Sequence, residues 1–149
     1  IELARPMIHA PNLDMSFSGL KTSVLTAVQS APDAGDEVFR RNLARGFVDA
    51  LVDVLAAKLV RAMKQTGLRN VVAAGGVSAN RQLRQRLTAE VRRRRGTIFY
   101  PPMRLCTDNG AMIAAAGLAR LEGMTAEELE ALKAKRSFGV SPRWQLSNL

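Results

Sequence analysis

From residue 69 onward the chain switches twice between a short β-branched run and a longer helical pattern. Arg69-Asn-Val-Val-Ala-Ala74 leads through Gly75-Gly76 into a helical stretch reaching about Arg94. Thr97-Ile-Phe-Tyr100 leads past Pro101-Pro102 into a second helical stretch, Asn109 to Glu122. Two consecutive strand–helix units constrain the fold more than any other feature. A strand that returns through a helix pairs in parallel with its predecessor, and a parallel sheet needs helices packed on it. The expected class is α/β. The 149 residues suit one domain, 1–149, able to bury roughly two-thirds of its unfolded-chain surface.

Local signals place the other elements. Residues 1–14 carry Pro6 and Pro11 and read as an irregular lead-in. Met15-Ser-Phe-Ser18 alternates apolar and polar as a short strand would; Gly19 breaks it, and Leu20 to Val28 reads as a helix. Residues 31–35 form a loop. Between Asp36 and Thr66, Phe39, Leu43, Phe47, Leu51, Leu55, Leu59 and Met63 recur every four residues, and Val48 and Val52 widen the stripe. This spacing predicts a long helix with a broad buried face, closed by Gly67. The 69–74 run predicts a buried strand. Ser78 is the expected N-cap of the next helix, whose apolar ridge is Leu83, Leu87 and Val91; Gly96 closes it. Thr107 or Asp108 is expected to cap the Asn109–Glu122 helix, which Gly123 ends. Thr125 and Glu128 have the spacing of a capping box for a short helix carrying Leu129 and Leu132. The tail after Ser137 reads as irregular.

The chemistry available is limited. The single histidine, His9, excludes a two-histidine metal motif built from this chain, and the single cysteine, Cys106, excludes an internal disulfide. A lone thiol is compatible with a reducing cytoplasm, the expected location. No apolar run reaches the ~18 residues of a membrane span. The net charge is +9, and residues 81–95 hold seven arginines against one acid, Glu90. On a helix Arg81, Arg84, Arg92 and Arg95 share a face. Such a face suits a polyanion, with nucleic-acid phosphate the usual candidate; it is equally read as a solvated surface. A weaker basic cluster comprises Lys133, Lys135, Arg136 and Arg143.

Three segments carry candidate chemistry. Gly75-Gly76-Val77-Ser78-Ala79-Asn80 lies between a strand and a helix, where glycines let a ligand approach the backbone and a helix start favours an anion. Asn80 offers an amide that both donates and accepts. Cys106-Thr107-Asp108-Asn109-Gly110 lies at a similar junction; Asp108 is a candidate metal ligand or a plain cap, and Cys106 a small core residue. Ser16 to Thr22, with Lys21, reads as the edge of a phosphate site or, preferably, a structural hinge. Trp144 reads as an anchor for the tail.

Ser16-Phe-Ser-Gly-Leu-Lys-Thr22, Val72-Ala-Ala-Gly-Gly-Val-Ser-Ala-Asn80, Cys106-Thr-Asp-Asn109 and Pro142-Arg143-Trp144, in this order and at this spacing, resemble the tRNA adenosine threonylcarbamoyltransferases, formerly described as O-sialoglycoprotein endopeptidases. The resemblance covers essentially the whole chain. It implies an actin-like and sugar-kinase-like ATPase fold (RNase H-like) with two related lobes, of which this chain supplies most of the second. It implies transfer of a threonylcarbamoyl group from threonylcarbamoyl-adenylate to the exocyclic amine of the adenosine beside the anticodon. It also implies one metal, iron or zinc, whose ligands are two histidines of an HxxxH motif and an aspartate matching Asp108. The nucleotide, threonylcarbamoyl-adenylate or an ATP-like ligand, is held partly by the asparagine matching Asn80, with Gly75 and Gly76 beside it. Partners implied are tRNA and accessory proteins of the same modification, with no membrane and no DNA.

Because HxxxH is absent here, the metal site is expected to be incomplete and this chain alone inactive, as one lobe of a longer enzyme. The alternatives are a non-catalytic RNA- or partner-binding module and a kinase-like phosphotransferase lobe. The old metallo-glycopeptidase description is disfavoured, since neither a peptidase nucleophile nor a complete metal site can be built from these residues.

Overall fold

Thirty residues of helix organise the chain. In the computed structural model, which describes residues 1–135 and residue 139, the helix α2 spans Glu37–Thr66. Asp36 caps it by accepting from the Phe39 amide at 2.9 Å. Gly67 ends it in the left-handed region, φ 70°, with its amide donating to the Met63 carbonyl. Both ends fall where the four-residue apolar spacing puts them.

Residues 1–107 form one compact unit; a second begins at Asp108. In the first, α2 is covered on two sides. The helix α1, Phe17–Gln29, and the lead-in bury Leu3 and Leu20 against Leu43 and Ala50, with Val24, Phe39, Phe47 and Leu51 packed around them. On the other side Val52 and Ala56 meet Leu83 and Leu87 of α3, Arg81–Arg93, flanked by Leu55, Leu59, Ala73 and Ile98. Small residues at the centre of α2 let both layers come close.

The lead-in has no regular structure, but α2 satisfies it. Lys58 donates to the Ala10 and Asn12 carbonyls at 3.1 and 2.8 Å, Arg61 to Ile8, and Gln65 to Pro11. Arg5 pairs with Asp53 at 2.8 Å. Positions 58, 61 and 65 are neighbours on one helix face, so one row of side chains supplies the donors that a sheet would otherwise give. Gly46 is buried where a Cβ would strike the Ile1 carbonyl.

The strand expected over Met15–Ser18 is absent. Ser16 is instead the N-cap of α1, in an extended conformation, accepting from the Gly19 amide at 3.2 Å. The alternation was short enough for one serine hydroxyl to decide in favour of helix.

The strands β1, Asn70–Val72, and β2, Thr97–Phe99, pair in parallel with Asn70 opposite Thr97, Val71 opposite Ile98 and Val72 opposite Phe99. This is the α/β arrangement expected. β1 is not the buried strand expected: Val71 and Ile98 face the helices, while Val72 and Phe99 are 75% and 54% exposed. The helices of this unit cover one face of the sheet only.

In the second unit, α4 spans Gly110–Glu122 and α5 spans Ala126–Ala134. Asn109, not Thr107 or Asp108, caps α4, accepting from the Met112 amide at 3.0 Å. The Thr125–Glu128 capping box forms in full. No residue of either helix is buried. The expectations for Pro142-Arg143-Trp144, Arg136 and the tail lie outside the described residues. Among the described residues no helix is long and apolar enough to cross a membrane.

Candidate functional site

The loop after β1 is built around one backbone conformation. Gly75 has φ 83° and ψ 171°, a region that essentially only glycine occupies. A Cβ built at Gly75 or Gly76 meets no other atom within 4 Å, so the glycines leave backbone open rather than fill a packed corner. Residues Gly76–Ala79 then form one short 3-10 turn. This extra turn moves the start of α3 two residues beyond the expected Ser78 cap. Ser78 is buried and its hydroxyl donates back to the Gly75 carbonyl at 2.7 Å. Asn80 is the cap: its Oδ1 accepts from the Leu83 amide at 2.9 Å, which commits one end of the amide and leaves the Nδ2 donors for a ligand.

The loop after β2 comes to the same place. A short 3-10 turn, Met103–Leu105, leads to Cys106, which is buried as expected. Both loops leave the carboxyl ends of neighbouring parallel strands, where ligands bind in open α/β sheets.

Arg84 joins them. Its Nε donates to the Ser78 carbonyl at 2.6 Å, and its Nη2 donates to the Pro101 carbonyl at 2.8 Å and to Cys106 Sγ at 3.1 Å. The guanidinium lies 4.7 Å from the centre of the Tyr100 ring, a cation–π distance. Tyr100 in turn donates its hydroxyl to the Arg84 carbonyl at 3.1 Å. This takes Arg84 away from the free basic face on which the helical spacing put it.

The rest of that face is also thinner than the sequence suggests. Glu90, a buried residue of α3, pairs with Arg86, Arg93 and Arg94, the last at 2.7 Å. The Arg94 hydrogen bond, helped by the charges of Arg93 and Arg86, lowers its carboxyl pKa against the effect of burial. Arg81 and Arg92 are exposed on α3. Arg95 is exposed beyond the helix end, at φ 57°, so it is not on the helical repeat. Arg81, Arg92 and Arg95 have no ion pair among the described residues and remain for a polyanion.

Below the glycine loop lies an apolar groove of about 350 Å3. Its lining includes Leu13, Met15, Leu55, Leu59, Val71, Ala73, Val77 and Ser78. Lys58 also borders it; burial lowers the pKa of this ammonium, which holds the lead-in through the Ala10 and Asn12 carbonyls. Neither the groove nor the roles of Arg84 and Lys58 were legible in the sequence.

Asp108 is exposed and opens the second unit. Among the described residues no group of three or more His, Cys, Asp or Glu side chains could hold a metal ion. Asp108 therefore stands as a single possible ligand, and these residues do not by themselves fit a metal. His9 is exposed in the lead-in, and Lys21 is exposed on α1.

A family model described as tRNA N6-adenosine threonylcarbamoyltransferase matches residues 1–115. Proteins of that name from Herminiimonas arsenicoxydans, Paraburkholderia xenovorans and Burkholderia multivorans are similar to the chain. The first is 50% identical over 148 residues, covering 99% of this chain and 42% of the relative. The second is 50% identical over 150 residues, and the third 51% over 154; each covers 100% of this chain and 43% of the relative. The chain thus spans well under half the length of the curated relatives it matches.

Proposed function

The chain belongs to the tRNA N6-adenosine threonylcarbamoyltransferase family, and from that premise we propose that it supplies the nucleotide-holding part of a tRNA-modifying transferase. The reaction is transfer of a threonylcarbamoyl group from threonylcarbamoyl-adenylate to the exocyclic amine of an adenosine beside the anticodon. The chain is read as one lobe of an actin-like enzyme, and most of the chemistry falls to residues outside it.

The observation that carries the reading is the open Gly75–Gly76 backbone at the carboxyl end of β1, with the Asn80 Nδ2 donors left over by its cap bond. The open backbone admits the adenylate phosphate, and the first turn of α3 favours its negative charge. The Asn80 amide donates to the nucleotide. The groove below the loop offers an apolar wall of the size that suits a flat base. Holding the leaving AMP in one orientation is a proximity contribution to transfer. Arg81, Arg92 and Arg95 contact the tRNA backbone by counterion release, without reading sequence.

Asp108 is proposed as one metal ligand, completed by histidines that this chain does not contain. Among the described residues no set of side chains completes that site. Accessory proteins belong to the same reading.

Titration of the chain with AMP tests the nucleotide role. Asn80→Ala and Gly75→Ala are each expected to weaken binding about tenfold, the equivalent of about 1.4 kcal/mol. Unchanged affinity in both variants returns the loop to a purely structural role. For tRNA, replacing Arg81, Arg92 and Arg95 by Ala is expected to flatten the salt dependence of binding; an unchanged slope leaves those arginines as solvated surface.

A further inference from the structure

Two loops that the sequence treats as separate motifs converge on one side chain. Arg84 reaches the Ser78 carbonyl in the loop after β1, and the Pro101 carbonyl and Cys106 thiol in the loop after β2. We propose that Arg84 is a positioning residue that locks these two loops into one arrangement and, through Ser78, sets the glycine turn against which the nucleotide lies. The nucleotide half of this statement rests on the function proposed above; the lock itself does not.

The geometry asks for a guanidinium. Its Nε and Nη2 donors point in fixed directions within one plane, and they serve acceptors on two different loops at once. An ammonium is a single compact charge and cannot span the same acceptors with aligned bonds. The side chain is itself held. Tyr100 presents its ring to the guanidinium and its hydroxyl to the Arg84 carbonyl, and that hydroxyl also meets Thr88 Oγ1 at 3.1 Å.

Further hydrogen bonds tighten the same junction. Ser78 Oγ lies 3.4 Å from Cys106 Sγ while bonding the Gly75 carbonyl, so the turn and the second loop touch directly. The Cys106 thiol is also 3.5 Å from the Pro102 carbonyl. Ser78 and Cys106 are both buried; these groups have little water to fall back on once the guanidinium is removed. Loss of Arg84 therefore loosens both loops together and leaves the weaker Ser78–Cys106 contact as the tie between them. Cys106 ends the region it holds, two residues before Asp108 in sequence.

The test uses the full chain, with Arg84→Lys and Arg84→Met, and two readouts. One is the rate at which an aromatic disulfide reagent modifies Cys106, the single thiol. The other is the affinity for AMP. Both variants are expected to expose the thiol at least about tenfold faster, because local opening sets access to a buried group. AMP binding is expected to weaken about tenfold, and Lys is not expected to rescue either property. Should Arg84→Met fail to fold, Arg84→Lys, which keeps charge and stem, carries the test.

Wild-type thiol reactivity in a folded Arg84→Lys overturns the lock. A faster thiol with unchanged AMP affinity overturns the link to the nucleotide turn. If the unsubstituted chain binds no AMP, it is the proposed function that fails, and the thiol rate still decides the lock: faster modification supports it and an unchanged rate overturns it.

Discussion

α3 and α4 are built to the same local plan and end in opposite states. Each spans 13 residues, each follows a short 3-10 turn, and each is capped by an asparagine whose Oδ1 accepts from the amide three residues on. α3 is crowded with arginine, yet Leu83, Leu87 and Val91 are buried in the core. α4 is mostly alanine and other apolar residues, yet none of it is buried, and Ile113 and Leu118 are 70% and 58% exposed. Apolar content therefore does not determine burial. α3 sorts its apolar residues onto one stripe that matches α2, whereas α4 spreads small and apolar residues around its circumference. A helix apolar all round suits surroundings that cover it on several sides, and the second unit does not provide them within its described residues.

The difference can be tested most severely by deleting one leucine from each helix. Leu87→Ala is expected to destabilise the first unit by about 2–5 kcal/mol, the usual range for a buried leucine. Leu118→Ala is expected to fall within about 0.5 kcal/mol, as for a surface position. Urea denaturation followed by circular dichroism measures both. Equal costs would break the comparison and put α4 inside a core.

A smaller effect separates the part the helices share. Asn80→Ala and Asn109→Ala should each cost about 1 kcal/mol of helix stability, since both remove the same capping bond. The cost at Asn80 should appear in the cooperative unfolding of the first unit. The cost at Asn109 should appear as lost helicity in α4 with that transition unmoved, read by amide hydrogen exchange. Coupling of Asn109 to the main transition would show that the units unfold as one.

These caps also mark the limit of what the sequence reveals. At both junctions several residues of capping type lie close together, and the expected caps, Ser78 in one and Thr107 or Asp108 in the other, are not the asparagines that form them, Asn80 and Asn109. Composition cannot choose among them, because the choice depends on where a 3-10 turn ends and the helical repeat begins. The long helix 37–66 and the Thr125–Glu128 box were legible because spacing and termini agree there. The parallel pairing of the two strands was legible from their alternation with helices. Burial of Lys58 and the inward turn of Arg84 were not, since Lys58 depends on carbonyls of the distant lead-in and Arg84 on those of Ser78 and Pro101 in two separate loops. The candidate loop was visible as Gly75, Gly76 and Asn80. Its tie to Cys106 was hidden, because no local pattern announces a shared arginine.

The smallest expected effect concerns two carboxylates, Glu90 of α3 and Glu128 of α5. Both have pKa values lowered by the folded state: Glu90 by the Arg94 hydrogen bond and neighbouring arginines, Glu128 by the backbone and hydroxyl of Thr125. A lowered pKa means that the folded state binds the proton less readily than the unfolded chain. The stabilisation is therefore fully present above the ordinary glutamate value of 4.5 and is lost as pH falls through the folded value. Glu90 is buried among three arginines and Glu128 is exposed, where solvent and salt screen its interactions. Glu90→Gln should lower the melting temperature at neutral pH and make its decline in acid shallower, and added salt should reverse little of this. Glu128→Gln should leave the main transition nearly untouched and change only the helicity of α5. Parallel acid-melting curves for Glu90→Gln and the unsubstituted chain would mean that the three arginines around Glu90 contribute no pH-dependent stability. The lowered pKa would then have no counterpart in the folding equilibrium.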